Sequence, residues 1–325
     1  MILELGRRLL TAVLMIAALV TIVFVLAHLA PGDPADLVMD PDMGLAEREA
    51  LRTQLGLDAS LPVQYVRWIG GLLTGDLGRS LHQHRPVSHI LAEALPRTML
   101  LTVPAYIVHL IVACGLGVLM AVRRGTWLDR TLNLVGLTIY SLPAFWLALM
   151  LILVFSFGLG WLPASGMHDP DVVLTGTSNL LDLISHMIMP VLVLGVASAM
   201  GTARYVRSGL IEALDQEYIT AARARGVPER AVVWRHALRN TLLPIVTLVG
   251  VNLPALLGGA VVVETVFAWP GMGRVAVDAI FTRDYPVILA VTALSGVLVV
   301  LGNLIADLLY GLVDPRVRLD RKGRS

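Results

Sequence analysis

Glu217–Pro244 reads EYITAARARGVPERAVVWRHALRNTLLP. It is the longest charge-rich interruption in a chain made mostly of apolar runs. Seven arginines sit in it or just before it: Arg204, Arg207, Arg223, Arg225, Arg230, Arg235 and Arg239. Apolar runs flank it on both sides, so it reads as a loop between two membrane spans. Tyr218 to Arg225 are good helix formers. Gly226 stands where a glycine ends a helix, and Pro228 where a second helix would begin. A helix-turn-helix held at one membrane face predicts a docking element.

The 325 residues are 56% hydrophobic and 15% charged, against about 25% charged in an ordinary soluble domain. Several uncharged runs exceed the roughly 20 residues that cross a bilayer core, so the chain is read as an all-α polytopic membrane protein. Six runs are counted: Leu9 to Ala30, Met99 to Val122, Leu132 to about Gly158 with a kink expected at Pro143, His186 to about Ala203, Leu242 to Val263, and Pro286 to about Tyr310. The first run is longer than the apolar core of a signal peptide and is read as an uncleaved span. Short helices are expected at Ala46 to Leu55, Val63 to Leu73 and Val87 to Leu95, the last stopped by Pro96, on the membrane surface or the outer rim.

Six spans place both termini on one side. The segments on that side carry 17 of the 25 basic residues, and six of the other eight lie in the long first loop, where charge counts least. The positive-inside rule therefore puts both termini and the arginine-rich loop in the cytoplasm. The expected division is an N-terminus with the first transmembrane helix (1–30), an external segment with short surface helices (31–97), a transmembrane core (98–311) whose cytoplasmic loop is 204–241, and a cytoplasmic tail (312–325).

Several function classes are weakened by what the sequence lacks. The only lysine is Lys322 in the tail, so no G-x-x-x-x-G-K-[ST] phosphate loop can form, and any ATP-driven work needs another subunit. Neither H-E-x-x-H nor G-x-S-x-G occurs, the eight histidines are scattered, and no catalytic or metal site is assigned; His82 and His84 read more readily as a solvated loop than as ligands. The single cysteine, Cys114, lies in an apolar run and reads as packing. Asp307 is the main carboxylate within a run, read as interfacial from its nearness to Asp314. Few buried ionisable groups weigh against a stand-alone ion-coupled secondary transporter, which stays the alternative. No nucleic-acid partner is expected.

Thr220-Ala221-Ala222-Arg223-Ala224-Arg225-Gly226 resembles the E-A-A-x-x-x-G signature of permease subunits from binding-protein-dependent ABC importers, with Thr220 at the glutamate position. The flanking strings look like the oligopeptide/dipeptide/nickel branch, as do Pro31-Gly32-Asp33-Pro34, Gln64-Tyr65 through Gly75-Asp76-Leu77-Gly78, Glu264-Thr265-Val266-Phe267 with Trp269-Pro270-Gly271-Met272-Gly273, Asp284-Tyr285-Pro286 and Asp314-Pro315-Arg316. Each string is weak alone; their order within a six-span frame makes them strong together.

The resemblance implies a type I ABC importer permease fold in a prokaryotic cell membrane. It also implies half of an alternating-access pathway for di- or oligopeptides, nickel chelates or glutathione-like solutes. The implied partners are a second permease (a related chain or a copy of this one), two ATPase subunits that hold ATP and Mg, an extracytoplasmic substrate-binding protein, and membrane lipid. Tyr218, Thr220, Ala221, Ala222, Arg223, Arg225, Gly226, Pro228 and Arg230 are the expected ATPase-coupling residues. The small Ala221 and Ala222 would sit deep in the partner's groove, and the arginines would meet carboxylates at its rim. Glu264, Phe267, Trp269, Pro270, Gly271 and Gly273 are expected as an external gate or binding-protein contact, with a packed re-entrant turn as the equal alternative. Ser141, Asn252 and Asn303 are expected to line the pathway, on polarity only.

Overall fold

The computed structural model describes residues 2–29, 53, 58–169, 176–239, 241 and 260–313. Its helices are α1 (Ile2–Leu29), α2 (Leu61–Thr74), α3 (Val87–Val122), α4 (Trp127–Ser141), α5 (Ala144–Leu151), α6 (Thr177–Leu214), α7 (Glu217–Ala224), α8 (Glu229–Ala231), α9 (Met272–Phe281) and α10 (Tyr285–Val313). α5 and α8 run on as π-helical turns, Ile152–Gly158 and Val232–Ala237, and residues 260–266 are also helical. No strand occurs among the described residues.

α3, α6 and the Tyr285–Leu304 part of α10 are long and apolar enough to cross a membrane. α4 with α5 to Gly158 passes the same test as a pair, bent by 103°. The described apolar stretch of α1, Leu10–Leu26, is shorter. The fifth expected run lies almost wholly outside the described residues, as do Pro31–Pro34, most of Ala46 to Leu55, Asn252 and the tail from Asp314.

Three boundaries differ from expectation. Val87 to Leu95 is not a separate piece: it is the start of α3, and Pro96 and Pro104 lie within that 36-residue helix. A proline removes one N–H, and a long helix among apolar neighbours tolerates that loss. The third run bends at the expected proline but more sharply than a kink, by 103°, parting at Leu142–Pro143 into two helices. Proline disfavours helical backbone in the residue before it, and Leu142 is extended (φ −76°, ψ 137°). The fourth run extends at both ends into α6, 38 residues long with Pro190 inside it.

The residues cluster into two compact units, one from 1–98 and 270–300, the other from 99–269 and 301–325. In the first, the start of α3 (Val87, Ile90, Leu91, Ala94) packs with Met272 and Ala279 of α9 and Val287, Ala290 and Val291 of α10. Asp284, buried, receives the Ser80 hydroxyl and the backbone N–H groups of Leu81 (3.1 Å) and His82 (3.3 Å). Phe24 of α1 meets Tyr65 edge-on and stacks on Trp68 of α2, and Tyr65 shares a 2.6 Å hydrogen bond with Thr21.

The second unit is built around α6. Small residues let neighbouring helices come close, as in membrane bundles generally. On one side, α3 runs parallel to α6: Gly195 lies against Ala105, His109 against Ser198 and Thr202, and Gly117 against Ala203 and Val206. On another, α4 runs antiparallel: Tyr140 against Gly201, Gly136 against Met200, and Asp129 against Arg207. The end of α3, the start of α4 and the end of α6 therefore share one end of this unit. Apolar cores close both ends. Leu101, Ala105, Ala148, Met189, Phe267 and Trp269 form one, and Val118, Ala121, Val206, Leu210 and Ile219 form the other. Leu101 and Val118 are about 25 Å apart along α3 at 1.5 Å per residue, close to the thickness of a hydrocarbon layer.

Between these cores His109 is buried with both ring nitrogens engaged. The Ser198 hydroxyl donates to the Leu194 carbonyl (2.6 Å), so Ser198 Oγ accepts from His109 Nδ1 (2.9 Å), and Nε2 shares a 3.1 Å hydrogen bond with Thr202 Oγ1.

The close approach of α3 to α6 makes a prediction. A Cβ on Gly117 would stand 2.5 Å from Val206 Cβ and 2.8 Å from the Ala203 carbonyl oxygen, whereas one on Gly115 meets nothing within 4 Å. Gly117→Ala is expected to destabilise the protein by about 1–3 kcal/mol through overpacking. Gly115→Ala is expected to leave it unchanged. Thermal unfolding of the two variants in the same detergent checks the difference.

Candidate functional site

α6 ends at Leu214, and only Asp215 and Gln216 separate it from α7. Gln216 is extended (φ −78°, ψ 150°), which turns the chain without a flexible linker. α7 then buries two side chains one turn apart, Ile219 and Ala222, and exposes Tyr218, Thr220, Ala221, Arg223 and Arg225. Ile219 packs into the core formed by Val118 and Ala121 of α3, Val206 and Leu210 of α6, and Val232, Val233, Ala237 and Leu238 of the stretch that follows.

The helix ends as its sequence requires. Arg225 is the last near-helical residue (φ −82°, ψ 5°) and Gly226 takes φ +78°, a left-handed conformation that costs a residue with a side chain about 1–2 kcal/mol. Gly226 N–H donates to the Arg223 carbonyl and Val227 N–H to that of Ala222, which satisfies the final turn. Pro228 caps α8, with the N–H groups of Ala231 (2.8 Å) and Val232 (3.1 Å) donating to its carbonyl. The second helix is shorter than expected: three α-helical residues pass into a π-turn that holds Val232, Val233 and Ala237 inward.

One expectation for this element is corrected. Ala222 does not face outward with Ala221; it is 2% exposed, turned into the chain's own core, because a helix anchored by Ile219 presents position 222 on the same face. Arg223 has a carboxylate partner within the chain as well. It grips Glu229 across the Gly226 turn, Nε to Oε2 at 3.1 Å and Nη2 to Oε1 at 2.6 Å. Arg225 bends back to donate to the Ala221 carbonyl (3.2 Å), while its head and that of Arg230 are at the surface. The outward face is thus Tyr218, Thr220, Ala221 and Arg225, continued by Pro228 and Arg230.

The platform beneath holds an ionic contact that the sequence reading did not pick out. Asp129, in the first turn of α4, is almost wholly buried and accepts from Arg207 Nε (2.7 Å) and Nη2 (2.8 Å), Gly125 N (3.0 Å) and Asn133 Nδ2 (2.8 Å). Thr126 caps the helix, its hydroxyl oxygen accepting from Asp129 N–H. A signal was present: Thr126-Trp127-Leu128-Asp129 is a capping-box spacing at a helix start. Arg207 had counted only as one more cytoplasmic arginine.

The residues expected as an external gate or binding-protein contact, with a packed turn as the alternative, are largely buried. Glu264, Phe267 and Trp269 are buried in the second unit, Phe267 and Trp269 within its core, and Gly166 N–H donates to the Phe267 carbonyl (2.8 Å). In the first unit Gly271 and Gly273 are buried and Pro270 is half-buried. Gly271 is extended and Gly273 lies inside α9. The left-handed turns fall at Ala268 (φ 49°) and Arg283 (φ 50°). Ser141 is exposed, its hydroxyl returned to the Leu137 carbonyl, and Asn303 is exposed on α10. These two are not brought to a common site by any described contact, and Asn252 lies outside the described residues. No group of three or more His, Cys, Asp or Glu converges as a metal site among the described residues.

Comparison with known proteins places this arrangement. Residues 113–319 match the family described as binding-protein-dependent transport system inner membrane component. Residues 1–102 match the corresponding N-terminal family. The chain is 42% identical over 312 residues to the oligopeptide transport system permease protein AppB of Bacillus subtilis, covering 96% of this chain and 98% of that one. It is 40% identical to the glutathione transport system permease protein GsiC of Salmonella paratyphi A, covering 96% and 97%. Among solved structures, a chain of the inward-facing MetNI methionine ABC transporter superposes with a TM-score of 0.57 at 22% identity, covering 69% of this chain and 96% of that one.

The Arg223–Glu229 grip carries a pH signature. The hydrogen bonds from Arg223 hold the Glu229 carboxyl below the usual glutamate range; burial opposes them, and the charge of Arg223 adds to them. A depressed folded value means the grip stabilises above the unfolded glutamate pKa and is lost only as pH falls through the lower, folded one. Amide-exchange protection of Val227 to Ala231 is expected to hold through the ordinary glutamate range and drop only below it. Glu229→Gln is expected to abolish that step. Because both side chains are well exposed, the stability lost should be under about 1 kcal/mol.

Proposed function

Because the chain belongs to the family of inner-membrane components of binding-protein-dependent transport systems, we propose that it forms one half of a solute pathway driven through α7 by a partner ATPase. It is a multi-pass protein of a prokaryotic plasma membrane and the permease subunit of an ATP-driven importer, not an enzyme in its own right. ATP and Mg are held by two ATPase subunits. A second permease, a related chain or another copy, completes the pathway, and an extracytoplasmic binding protein delivers the solute. Six spans with both termini in the cytoplasm agree with the charge asymmetry, and the shared end of α3, α4 and α6 agrees with placing the 123–126 loop and α7 on that side.

The observation that carries the reading is the two-faced build of α7. Ile219 and Ala222 fasten it to the core at the end of α6, and Tyr218, Thr220, Ala221 and Arg225 are exposed on its other side. Closure of the ATPase pair moves α7. α6, joined to it by two residues, follows, and the spans alternate between inward- and outward-open arrangements. Gly226 and Pro228 set the angle of the element, and Arg230 extends its basic edge.

The solute is a di- or oligopeptide or a chemically related compound, a reading supported by the relatives named for oligopeptide and glutathione transport. Glu264, Phe267 and Trp269 act as a packed outer gate rather than as a contact surface, since their side chains are buried, with Pro270, Gly271 and Gly273 continuing the segment. Ser141, Asn252 and Asn303 are polar positions for the pathway wall.

Deletion of Tyr218 to Gly226 is expected to release the ATPase subunits while the remaining chain still folds, and Arg225→Glu is expected to weaken their co-purification at low salt more than at high salt. Undiminished ATPase recovery with the deletion variant would end the docking assignment. The small molecule bound to the partner binding protein after native purification, read by mass spectrometry, identifies the solute class.

A further inference from the structure

We propose that the Asp129–Arg207 ion pair is the strut that carries displacement of α7 into the broken α4–α5 helix, making both residues positioning residues of the transport cycle. The proposal rests on α7 being the docking element.

The end of α6, α7 and the stretch after Pro228 form one packed body, because Val206, Leu210, Ile219, Val232 and Val233 share a core. α3 joins that body through Val118 and Ala121. α4 contributes no residue to this core among the described residues; its tie to α6 at this end is the ion pair. Farther along, the α4–α6 interface includes Gly136 on Met200 and Tyr140 on Gly201. Such apolar contacts are non-directional and can slide. A bidentate guanidinium–carboxylate contact fixes both distance and orientation.

The carboxylate is also saturated. Oδ1 receives Arg207 Nε and Asn133, and Oδ2 receives Arg207 Nη2 and the Gly125 N–H. It is thereby anchored to its own helix and to the loop before it, so a pull on Arg207 moves the start of α4 as a whole. Arg207 lies seven residues before the end of α6, about 10 Å at 1.5 Å per residue, on the same rigid helix that leads into α7. At its other end α4 meets the 103° break at Leu142–Pro143. A break at that place turns a displacement of α4 into a change of angle against α5. An exposed pair at the same loop, Arg124 with Asp215 at 3.4 Å, lacks the burial and the bidentate geometry to do this.

The test uses the assembled transporter with its ATPase subunits in nanodiscs. Cys114 is replaced by Ala, and spin labels are placed at the exposed Trp127 and Tyr205 positions. In the otherwise unaltered chain the interlabel distance is expected to be the same in the nucleotide-free and ATP–vanadate-trapped states, because α4 and α6 move together. The double variant Asp129→Leu/Arg207→Met removes the pair without leaving a buried charge. It is expected to retain ATPase subunits and ATP hydrolysis, yet to show an interlabel distance that shifts by several ångströms on trapping. A distance that changes in the unaltered chain, or stays fixed in the double variant, overturns the proposal. If the double variant does not assemble, Arg207→Lys is measured instead, since it keeps the charge but not the two-pronged geometry. A state-dependent distance there supports the strut, and a fixed one overturns it. Loss of this effect with the ATPase still bound leaves the docking role of α7 intact; only retention of the ATPase after α7 deletion removes that role.

Discussion

The whole second unit depends on how closely other helices can approach α6. Hydrocarbon gives apolar side chains no reason to prefer one another over lipid, so packing and internal polar contacts must hold the helices together. Glycines supply the first. At Gly195 a neighbour's backbone carbonyl lies where a side chain would start, and at Gly117 and Gly201 the Val206 and Tyr140 side chains do. His109 and Asp129 supply the second, one midway along α3 and one at the start of α4. With a parallel neighbour on one side and an antiparallel one on another, three chain segments are forced to meet at one end. α7 is built on that meeting point.

The polar contacts divide by depth. His109 is satisfied by hydroxyls and needs no charge, which suits a position between two apolar cores. Asp129 and Arg207 are charged, and they sit at the end of the bundle, where Arg207 still reaches solvent with a quarter of its side chain exposed. Charge bears less desolvation there than deeper in, and the four donors around the carboxylate offset what remains. The Arg223–Glu229 pair lies farther out and is worth least in energy, yet it closes the turn at Gly226 and so sets the angle at which the exposed face of α7 is shown.

Much of this was legible in the sequence, and the reasons for the misses are physical. The helix from Glu217, the glycine that ends it and the proline after it depend on local backbone preferences, and those act within a few residues. The face that α7 buries depends on partners from α3 and α6, so Ala222 was read as exposed when it is packed inside. Pro96 and Pro143 have the same local chemistry, yet α3 continues through one and the third run parts at the other. The proline alone therefore does not decide the outcome, and no local rule separates the two. The segment from Glu264 to Gly273 was read as a gate or contact surface with a packed turn as the equal alternative, because it holds charge, aromatics and glycines together. Its burial shows the same residues serving as packing. Asp129 carried a visible capping signal, but its partner is 78 positions away and only the fold brings Arg207 to it.

Thr220 stands where the resembling families carry glutamate, and the structure shows what that position can do here. It lies on the exposed side of α7, one residue from the buried Ile219, in a helix whose acidic first turn is already supplied by Glu217. A carboxylate at 220 would add little to the helix dipole beyond what Glu217 gives, because that effect fades within the first turn. The outward surface at this position is therefore small and neutral, bordered by Ala221 and the positive head of Arg225. A groove that receives it must match a shape with charge at its edge rather than at its centre. Burying a small neutral side chain carries a far smaller desolvation cost than burying a carboxylate. In this chain the exposed face of α7 depends on the anchoring of Ile219 and Ala222 for its position and on Arg225 and Glu217 for its charge, with no acid at position 220 itself.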